Sequence, residues 1–389
     1  MKFDKIRVIS HDNYEISGLC EKLEILFSST GLFEELGSKK VRKILLKPNI
    51  LGIYPPETAT ITHPNLVAAA AKVLKAKGYS VGVGDSSGML IKNESILSSC
   101  GYDAIFKEGS ASYENFDMEP FDRIRVNEKE VYITGVLGRY DYCISMPKFK
   151  THHITTITCC IKNFYGIVPG VKKTHYHREF HKFRDFCLFM TGLYSVVRAD
   201  YYLVDSILAM EGDGPAGGSP RKLDMLAVGR DGAKIDAYLL KLMGVEADKL
   251  EYYSNLRSLG LYSGIGPEDI EAEPDLEERF GNFQLPSSTA LAALTSTLPQ
   301  FVFNFLRIRP RIDGARCVRC RECERKCPVG AIVYGVKRMK ILDHKCIACG
   351  CCKEVCSAEA IHMRPNLIMR VFGFLRGIYE RARYKKRQS

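Results

Sequence analysis

The sequence predicts two units of different chemistry. The first is an α/β domain with a mixed, mostly parallel sheet and helices, and the second is a small, cysteine-dense α+β module. Three observations lead there. Strand-like and helix-like segments alternate through residues 1–285, the pattern of strands joined by crossover helices. Charge steps along the chain: residues 301–389 hold 21 Lys+Arg against 7 Asp+Glu, and the first 300 hold 35 against 38. Nine of the 15 cysteines fall between Cys317 and Cys356. A hydrophobic content of 46% with 26% charged residues excludes a disordered or collagen-like chain.

Each element follows from local pattern. Residues 5–10, KIRVIS, read as a short strand, and residues 14–36 carry helical apolar spacing. VRKILLKPN, residues 41–49, is a strand ending at a Pro-Asn turn. Thr62 and Pro64 open a helix that Gly78 stops. YSVGVGDSSG, residues 79–88, is a strand running into a glycine-rich turn. Its Gly82, Gly84 and Gly88 are spaced G-x-G-x-x-x-G, a poor match to the dinucleotide fingerprint. YDYCISMPK (140–148), YYLVDSIL (201–208) and LDMLAVG (223–229) are apolar runs suited to buried strands. DGAKIDAYLLKLMG (231–244) is a helix closed by Gly244.

Residues 246–280 are acidic and read as an irregular exposed segment. Residues 280–306 contain no charge, but Gly281, Asn282, Gln284, Pro286 and Pro299 interrupt their apolar character, so they read as a buried connector and not a membrane span. The expected division is an α/β domain at 1–285, a connector at 286–312, the cysteine module at 313–363 and a tail at 364–389. Leu367, Ile368, Val371, Phe372, Leu375, Ile378 and Tyr379 share one helical face of that tail, among arginines. It suits docking on its own protein, or else on a partner or membrane surface.

The cysteines carry the sharpest signal. Cys317, Cys320, Cys323 and Cys327 read C-x2-C-x2-C-x3-C, and Cys346, Cys349, Cys352 and Cys356 repeat that spacing 29 residues later. Ala331-Ile332 and Ala360-Ile361 keep the same offset. This is an internal duplication with the spacing of bacterial-type ferredoxins, in which the fourth cysteine of each run ligates the other cluster. The expected cofactors are two [4Fe–4S] clusters. One would take Cys317, Cys320, Cys323 and Cys356, the other Cys346, Cys349, Cys352 and Cys327, with Cys351 a bystander. The first residues, MKFDKIRVISHDNYEIS, lack the apolar core of a secretory signal. A cytoplasmic protein with reduced thiols is expected.

A second feature is local. The run Lys148–Arg184 holds eight Lys+Arg, one acid and five of the nine histidines. That composition suits an anionic ligand and equally suits a solvated face or core histidines. Cys159-Cys160 beside His152 and His153 match no standard zinc spacing. The turn GDGPAGG at 212–218 follows a strand, with Asp205, Glu211 and Asp213 nearby. Its amides suit an anion or simply a loop.

Several segments occur together: Leu46-Lys47-Pro48-Asn49, Ser145–His152 (SMPKFKTH), Ile161–Gly166 (IKNFYG), Val204-Asp205, Glu211–Pro215 (EGDGP) and Ile235-Asp236-Ala237. In this set the chain resembles the domain-of-unknown-function family 362, in its version fused to a two-cluster ferredoxin, over roughly residues 1–285 and 313–363. The resemblance implies an iron–sulfur protein and assigns no catalytic residue. Its segments fall on Pro147, Lys148, Lys150, Thr151, His152, Lys162, Asn163, Gly166, Gly212, Gly214 and Pro215, and the residues themselves read as lying at strand ends, where α/β domains bind ligands.

The expected function is an iron–sulfur oxidoreductase. Its clusters would exchange electrons with a small anionic substrate, or a flavin phosphate, held by Lys47, Asn49, Lys148, Lys150, Lys162, Asn163, Asp205, Asp213 and Gly214. His152 would donate the proton, since a histidine titrates near neutrality. The alternative is a non-catalytic electron carrier, or an accessory factor for a larger redox complex, docking a redox partner protein. The excess charge of the C-terminal end raises nucleic-acid binding, but no stacking platform or fold signature accompanies it. Negative clusters account for that charge more directly.

Overall fold

Apolar side chains alternate faces along the central strands of the first unit, so both faces of the sheet are hydrophobic. In the computed structural model, which describes residues 5–87, 93–118, 120–287, 309–335 and 338–364, Ile44, Leu46, Tyr201, Leu203, Leu226 and Val228 enter one core. Leu45, Tyr202, Val204, Met225 and Ala227 enter the other. Period-two alternation with both faces apolar requires a cover on each side. The chain divides into two compact units, Met1–Pro286 and Ser287–Ser389. The expected tail at 364–389 and most of the 286–312 connector lie outside the described residues.

The sheet of the first unit contains β1 (Ile6–Ser10), β2 (Lys43–Pro48), β3 (Ser80–Asp85) and β4 (Ser112–Asn115). After a separate hairpin of β5 (Phe121–Val126) and β6 (Lys129–Thr134) it continues with β7 (Tyr142–Met146), β8 (Lys148–His152) and β9 (Thr156–Thr158). It closes with β10 (Tyr201–Glu211), β11 (Ser219–Gly229) and β12 (Ile270–Ala272). The order is β12-β1-β11-β10-β7-β2-β3-β4, with β8 joining β10 and β9. Pairs β2–β3, β2–β7, β3–β4, β7–β10, β8–β10 and β1–β12 are parallel. Pairs β1–β11, β10–β11 and β8–β9 are antiparallel. The domain is therefore α/β, with a mixed, mostly parallel sheet.

Helices α1 (Ile16–Ser29), α2 (Leu32–Ser38) and α3 (Pro64–Ala76) cover one face. The expected single helix over 14–36 is two, because Gly31 turns left-handed (φ +66°) between them. In α3, Pro64 occupies the first position, where its missing N–H is no loss, and the cap is His63, whose ring accepts from Asn65 N–H, not Thr62. Two short helices follow β3, α4 (Asn93–Ser99) and α5 (Asp103–Lys107). Gly82 and Gly84 lie inside β3, where a Cβ would meet Tyr140 and Phe116. They let side chains pack against the strand and form no phosphate loop.

The other face carries α6 (Cys160–Asn163), α7 (Gly170–Glu179), α8 (Phe183–Val196), α9 (Gly232–Leu242) and α10 (Glu251–Ser258). The segment expected to be irregular at 246–280 contains α10, the edge strand β12 and α11 (Leu276–Arg279). Tyr252, Tyr253 and Leu256 are buried there, and burial of large side chains at roughly 1.5–3 kcal/mol each outweighs the acidic composition. Among the described residues no helix is long and apolar enough to cross a membrane.

Asp236 of α9 ties two elements together. Its carboxylate oxygens accept from the N–H groups of Cys160 (2.8 Å) and Ile161 (3.0 Å), the first amides of α6. The strand-like run TTITCC thus ends at Thr158, and Cys160 starts a helix. The Sγ atoms of Cys159 and Cys160 and this carboxylate lie within 4.8 Å of one another. The amides already fix the carboxylate, and burial pushes its pKa up to about 6. Asp236→Ala is expected to orphan two buried N–H groups at about 1–3 kcal/mol each. Asp236→Asn, which keeps one acceptor, should lose less, as read from urea midpoints.

The second unit is built from two copies of one pattern. Strands β13 (Arg309–Ile312) and β16 (Ile361–Arg364) pair antiparallel, as do β14 (Ile332–Tyr334) and β15 (Met339–Ile341). Each ladder joins the start of one copy to the end of the other. Helices α12 (Glu322–Arg325) and α13 (Cys351–Glu354) stand 29 residues apart, as do left-handed Arg319 and Ala348, Arg321 and Gly350, and Gly330 and Glu359. The duplication seen in the cysteines extends to the backbone.

Candidate functional site

The chain leaves β2 through α3 to β3 on one side, and returns from β4 to β7 on the other. The strand order reverses between β2 and β7, and ligands of open α/β sheets bind outside the carboxyl ends at such a point. Here Lys47 faces Ser145 and Pro48 faces Met146. Asn163 spans the gap: its Nδ2 donates to the Lys47 carbonyl (3.2 Å) and to Ser145 Oγ (3.0 Å). Its Oδ1 accepts from Asn49 Nδ2 (3.2 Å), and Asn49 Oδ1 accepts from Lys150 Nζ (2.8 Å). Lys150 also donates to the Thr60 carbonyl (2.5 Å).

Two buried ion pairs flank this chain of amides. Lys47 Nζ lies 2.8 Å from Asp85 Oδ1, and Asp85 Oδ2 accepts from Ile50 N–H at 2.6 Å. Burial pushes the Asp85 carboxyl up, and the Lys47 charge opposes it. Gly166 packs directly against this pair, where a Cβ would run into both the Asp85 carboxylate and Lys47 Nζ. Lys148 Nζ lies 3.0 Å from Asp205 Oδ2 and donates to Tyr14 Oη at 3.0 Å. The Tyr14 hydroxyl donates to Asp205 Oδ1 (2.6 Å), and His63 N–H donates to Asp205 Oδ2 (2.8 Å). Burial pulls Lys148 down, against the attraction of Asp205.

The lysine–histidine strip therefore divides. Lys148, Lys150, His152 and His153 are buried at the carboxyl edge, whereas His175, His181, Lys182 and Arg184 are exposed. His177 is a core residue stacked on Phe186. Lys47 and Lys148 meet carboxylates, so their charge is balanced within the protein. His152 Nδ1 accepts from the N–H groups of Ile154 (3.0 Å) and Thr155 (3.3 Å), which assigns the ring proton to Nε2. Its ring stacks on His153, whose Nδ1 is 3.4 Å from the Gly214 carbonyl. Gly214 N–H donates to Thr151 Oγ1 (3.3 Å), so the 212–215 turn lies on β8. Lys162 is half-buried beside the Tyr165 ring, and Asp213 is half-buried in the turn.

Sequence reading passed over Tyr14, His63 and Asp85, and named Asp236 only as part of a family segment. Asp85 had a signal, an acid ending a buried strand. Tyr14 had none, because its partner Asp205 lies 191 positions away.

In the second unit, one hollow is lined by Cys317, Cys320, Cys323 and Cys356. Another is lined by Cys327, Cys346, Cys349 and Cys352. Each gathers three sulfurs of one repeat and the last of the other. Backbone amides point at the sulfurs: Ala331 to Cys327 (3.1 Å), Ala360 to Cys356 (3.3 Å) and Ala348 to Cys346 (3.4 Å). Burial and neighbouring sulfurs push Cys323 up to about 12, so binding a thiophilic centre there releases a proton. Four convergent thiols with N–H donors to sulfur fit an iron–sulfur cluster.

The model of the family "Domain of unknown function (DUF362)" matches residues 44–241, and that of a "4Fe-4S dicluster domain" matches residues 309–357. The thylakoid-associated protein sll1697 of Synechocystis is 26% identical over 265 residues, 66% of this chain and 79% of that one. A protein of the ion-translocating oxidoreductase complex of Methanosarcina acetivorans is 42% identical over 48 residues, 12% of this chain and 18% of that one. Among solved structures, the lactate racemase apoprotein of Thermoanaerobacterium thermosaccharolyticum aligns at TM-score 0.36 and 12% identity, over 54% of this chain and 51% of that one. The dicluster match makes this an iron–sulfur protein with an electron-transfer role.

Lys148→Met is expected to cost about 3–5 kcal/mol by leaving Asp205 buried and unpaired. Adding Asp205→Leu should recover part of that loss, since Tyr14 and His63 still lose their acceptor. Denaturant midpoints of the single and double variants check this.

A pH effect follows from His63, stacked on Tyr14 at 3.7 Å. Burial pulls its pKa down to about 4, with Asp205 pulling upward. The unfolded chain binds that proton near 6.5, so stability is full above about pH 6.5 and falls as the pH drops toward 4. Asp236 acts oppositely, losing its contribution as pH rises toward 6. His63→Asn, which keeps a cap acceptor, should fall less than the parent between pH 7 and 5 in paired denaturation curves.

Proposed function

We propose that this chain, which belongs to the DUF362 family, relays electrons through two [4Fe–4S] clusters to a small anionic substrate or flavin at the carboxyl edge of its α/β domain. Cys317, Cys320, Cys323 and Cys356 would hold one cluster, and Cys346, Cys349, Cys352 and Cys327 the other. The observation carrying this reading is the three-plus-one gathering of sulfurs around each hollow. Such clusters supply one-electron transfer when bound. Their reduced thiolates call for a reducing compartment, and the cytoplasm is the location that goes with this reading.

The chain's own groups would do the rest. Nε2–H of His152 is the proton donor, with its tautomer held by the amides on Nδ1. Half-buried Lys162 reaches solvent at the edge and is the group that would meet an incoming anion, while half-buried Asp213 would orient His152 or bind a cation. Lys47, Lys148, Lys150, Asn49, Asn163 and Asp205 hold the floor in one geometry, which pre-organises the edge. Gly214 keeps the turn on β8.

A second reading is a non-catalytic carrier or accessory factor within a larger redox complex. It is favoured by the similarity of the dicluster segment to a protein of an oxidoreductase complex.

Anaerobic reconstitution should load about eight iron and eight sulfide per chain. Cys320→Ala should lose about half, and Cys351→Ala none, by iron and sulfide assay with EPR of the reduced sample. Equal loss in both variants would reject the assignment of ligands. Substrate-dependent cluster oxidation, weakened in Lys162→Ala and His152→Asn, separates the enzyme from the carrier.

A further inference from the structure

The two halves of the dicluster unit share a backbone pattern but not a surface. At the 29-residue offset, Arg319 corresponds to Ala348, Arg321 to Gly350 and Arg325 to Glu354. The first loop is open: Arg316, Val318, Arg319, Cys320 and Arg321 are exposed, and Val318 is 69% accessible. The second is covered: Ile347, Ala348 and Cys349 are half-buried and Gly350 is buried. One lining cysteine of that hollow, Cys320, is thus an exposed residue among four arginines, of which the twin keeps a single cation, Lys345 in the place of Arg316.

Ion pairs hold two of these arginines in place, and the other two keep the patch positive. Arg325 Nη2 donates to the Cys320 carbonyl (3.2 Å) and pairs with Glu322. Arg321 pairs with Glu324 at 2.6 Å and lies over the Tyr334 ring, itself 48% accessible. Among the described residues neither Arg316 nor Arg319 meets a carboxylate. Exposed Val318 and Tyr334 set among arginines have the composition of an interface core, rich in aromatic and arginine side chains.

We infer that this loop is the electron port of the protein, and that it docks a soluble electron-carrier protein with an acidic surface around its own redox centre. The inference rests on the proposed cluster ligation by Cys320. Electron transfer needs close approach of the two centres, and among the eight repeated cysteines only Cys320, in the first repeat, is an exposed residue. Charge complementarity would steer the encounter and fix its orientation, while Val318 and Tyr334 bury against the partner. The second repeat, whose cysteine loop is less exposed, would then be the end facing away from the carrier in the relay.

The test uses the full chain, anaerobically loaded, with reduced flavodoxin as the acidic carrier and stopped-flow bleaching of the cluster absorbance as the readout. At low ionic strength Arg319→Glu should slow the second-order reduction by about tenfold or more and flatten its salt dependence. Lys345→Glu, the same charge change at an exposed position of the second repeat, should leave the rate near that of the parent. Equal slowing by both variants, or slowing by neither, overturns the port. If anionic phosphatidylglycerol vesicles bind the parent and not Arg319→Glu while flavodoxin rates stay unchanged, the patch serves a lipid surface, which also overturns it. Iron and sulfide counts on the same samples keep the readings apart: a parent that holds no clusters rejects the ligation, and loaded variants test the docking alone.

Discussion

Burying an ammonium group costs several kcal/mol unless a carboxylate is brought to it, and the carboxyl edge of this sheet buries two lysines with a carboxylate each. Lys47 needs Asp85 from the neighbouring strand, which fixes β2 against β3. Lys148 needs Asp205, which fixes β8 against β10. Once those pairs form, other choices follow. Residue 166 has to be glycine because the first pair fills the space of a Cβ. Tyr14 and His63 have to come from distant loops because Asp205 has further oxygen lone pairs to satisfy. Asn163 has to span β2 and β7 because the strand order reverses there.

The second unit depends on a different constraint, the exchange of one sulfur between repeats. Each hollow draws three cysteines from one copy and one from the other, so neither copy can gather four sulfurs alone. The crossed pairing of strands serves the same end. Duplication usually leaves two equal halves. Here the arginines of the loop, the exposed valine and the exposed cysteine sit on one half only, so the two copies share a backbone and differ in surface.

The parts that sequence reading reached are those written in short-range pattern. The α/β alternation, the helices closed by Gly78 and Gly244, and the 29-residue duplication depend on residues within a few positions of one another or on a fixed offset. Misses arose where distant packing overrode local character. The acidic stretch 246–280 looked irregular, yet the burial of Tyr252, Tyr253 and Leu256 makes α10 out of part of it. The lysine–histidine strip looked like one surface, yet its first third is interior, while His175, His181, Lys182 and Arg184 toward its end are exposed and His177 between them is buried.

By itself the sequence determined two chemically distinct units, the periodicity of the sheet and its helices, and the three-plus-one arithmetic of eight repeated cysteines. Spacing is a local property of a covalent chain, and these features need nothing more. Only the tertiary structure decided that Lys47 and Lys148 are neutralised inside the protein, that Asp236 caps α6 from another helix, and that one cysteine loop of two is open. Those outcomes depend on which residues from distant parts of the chain meet, and on the desolvation that follows when they do.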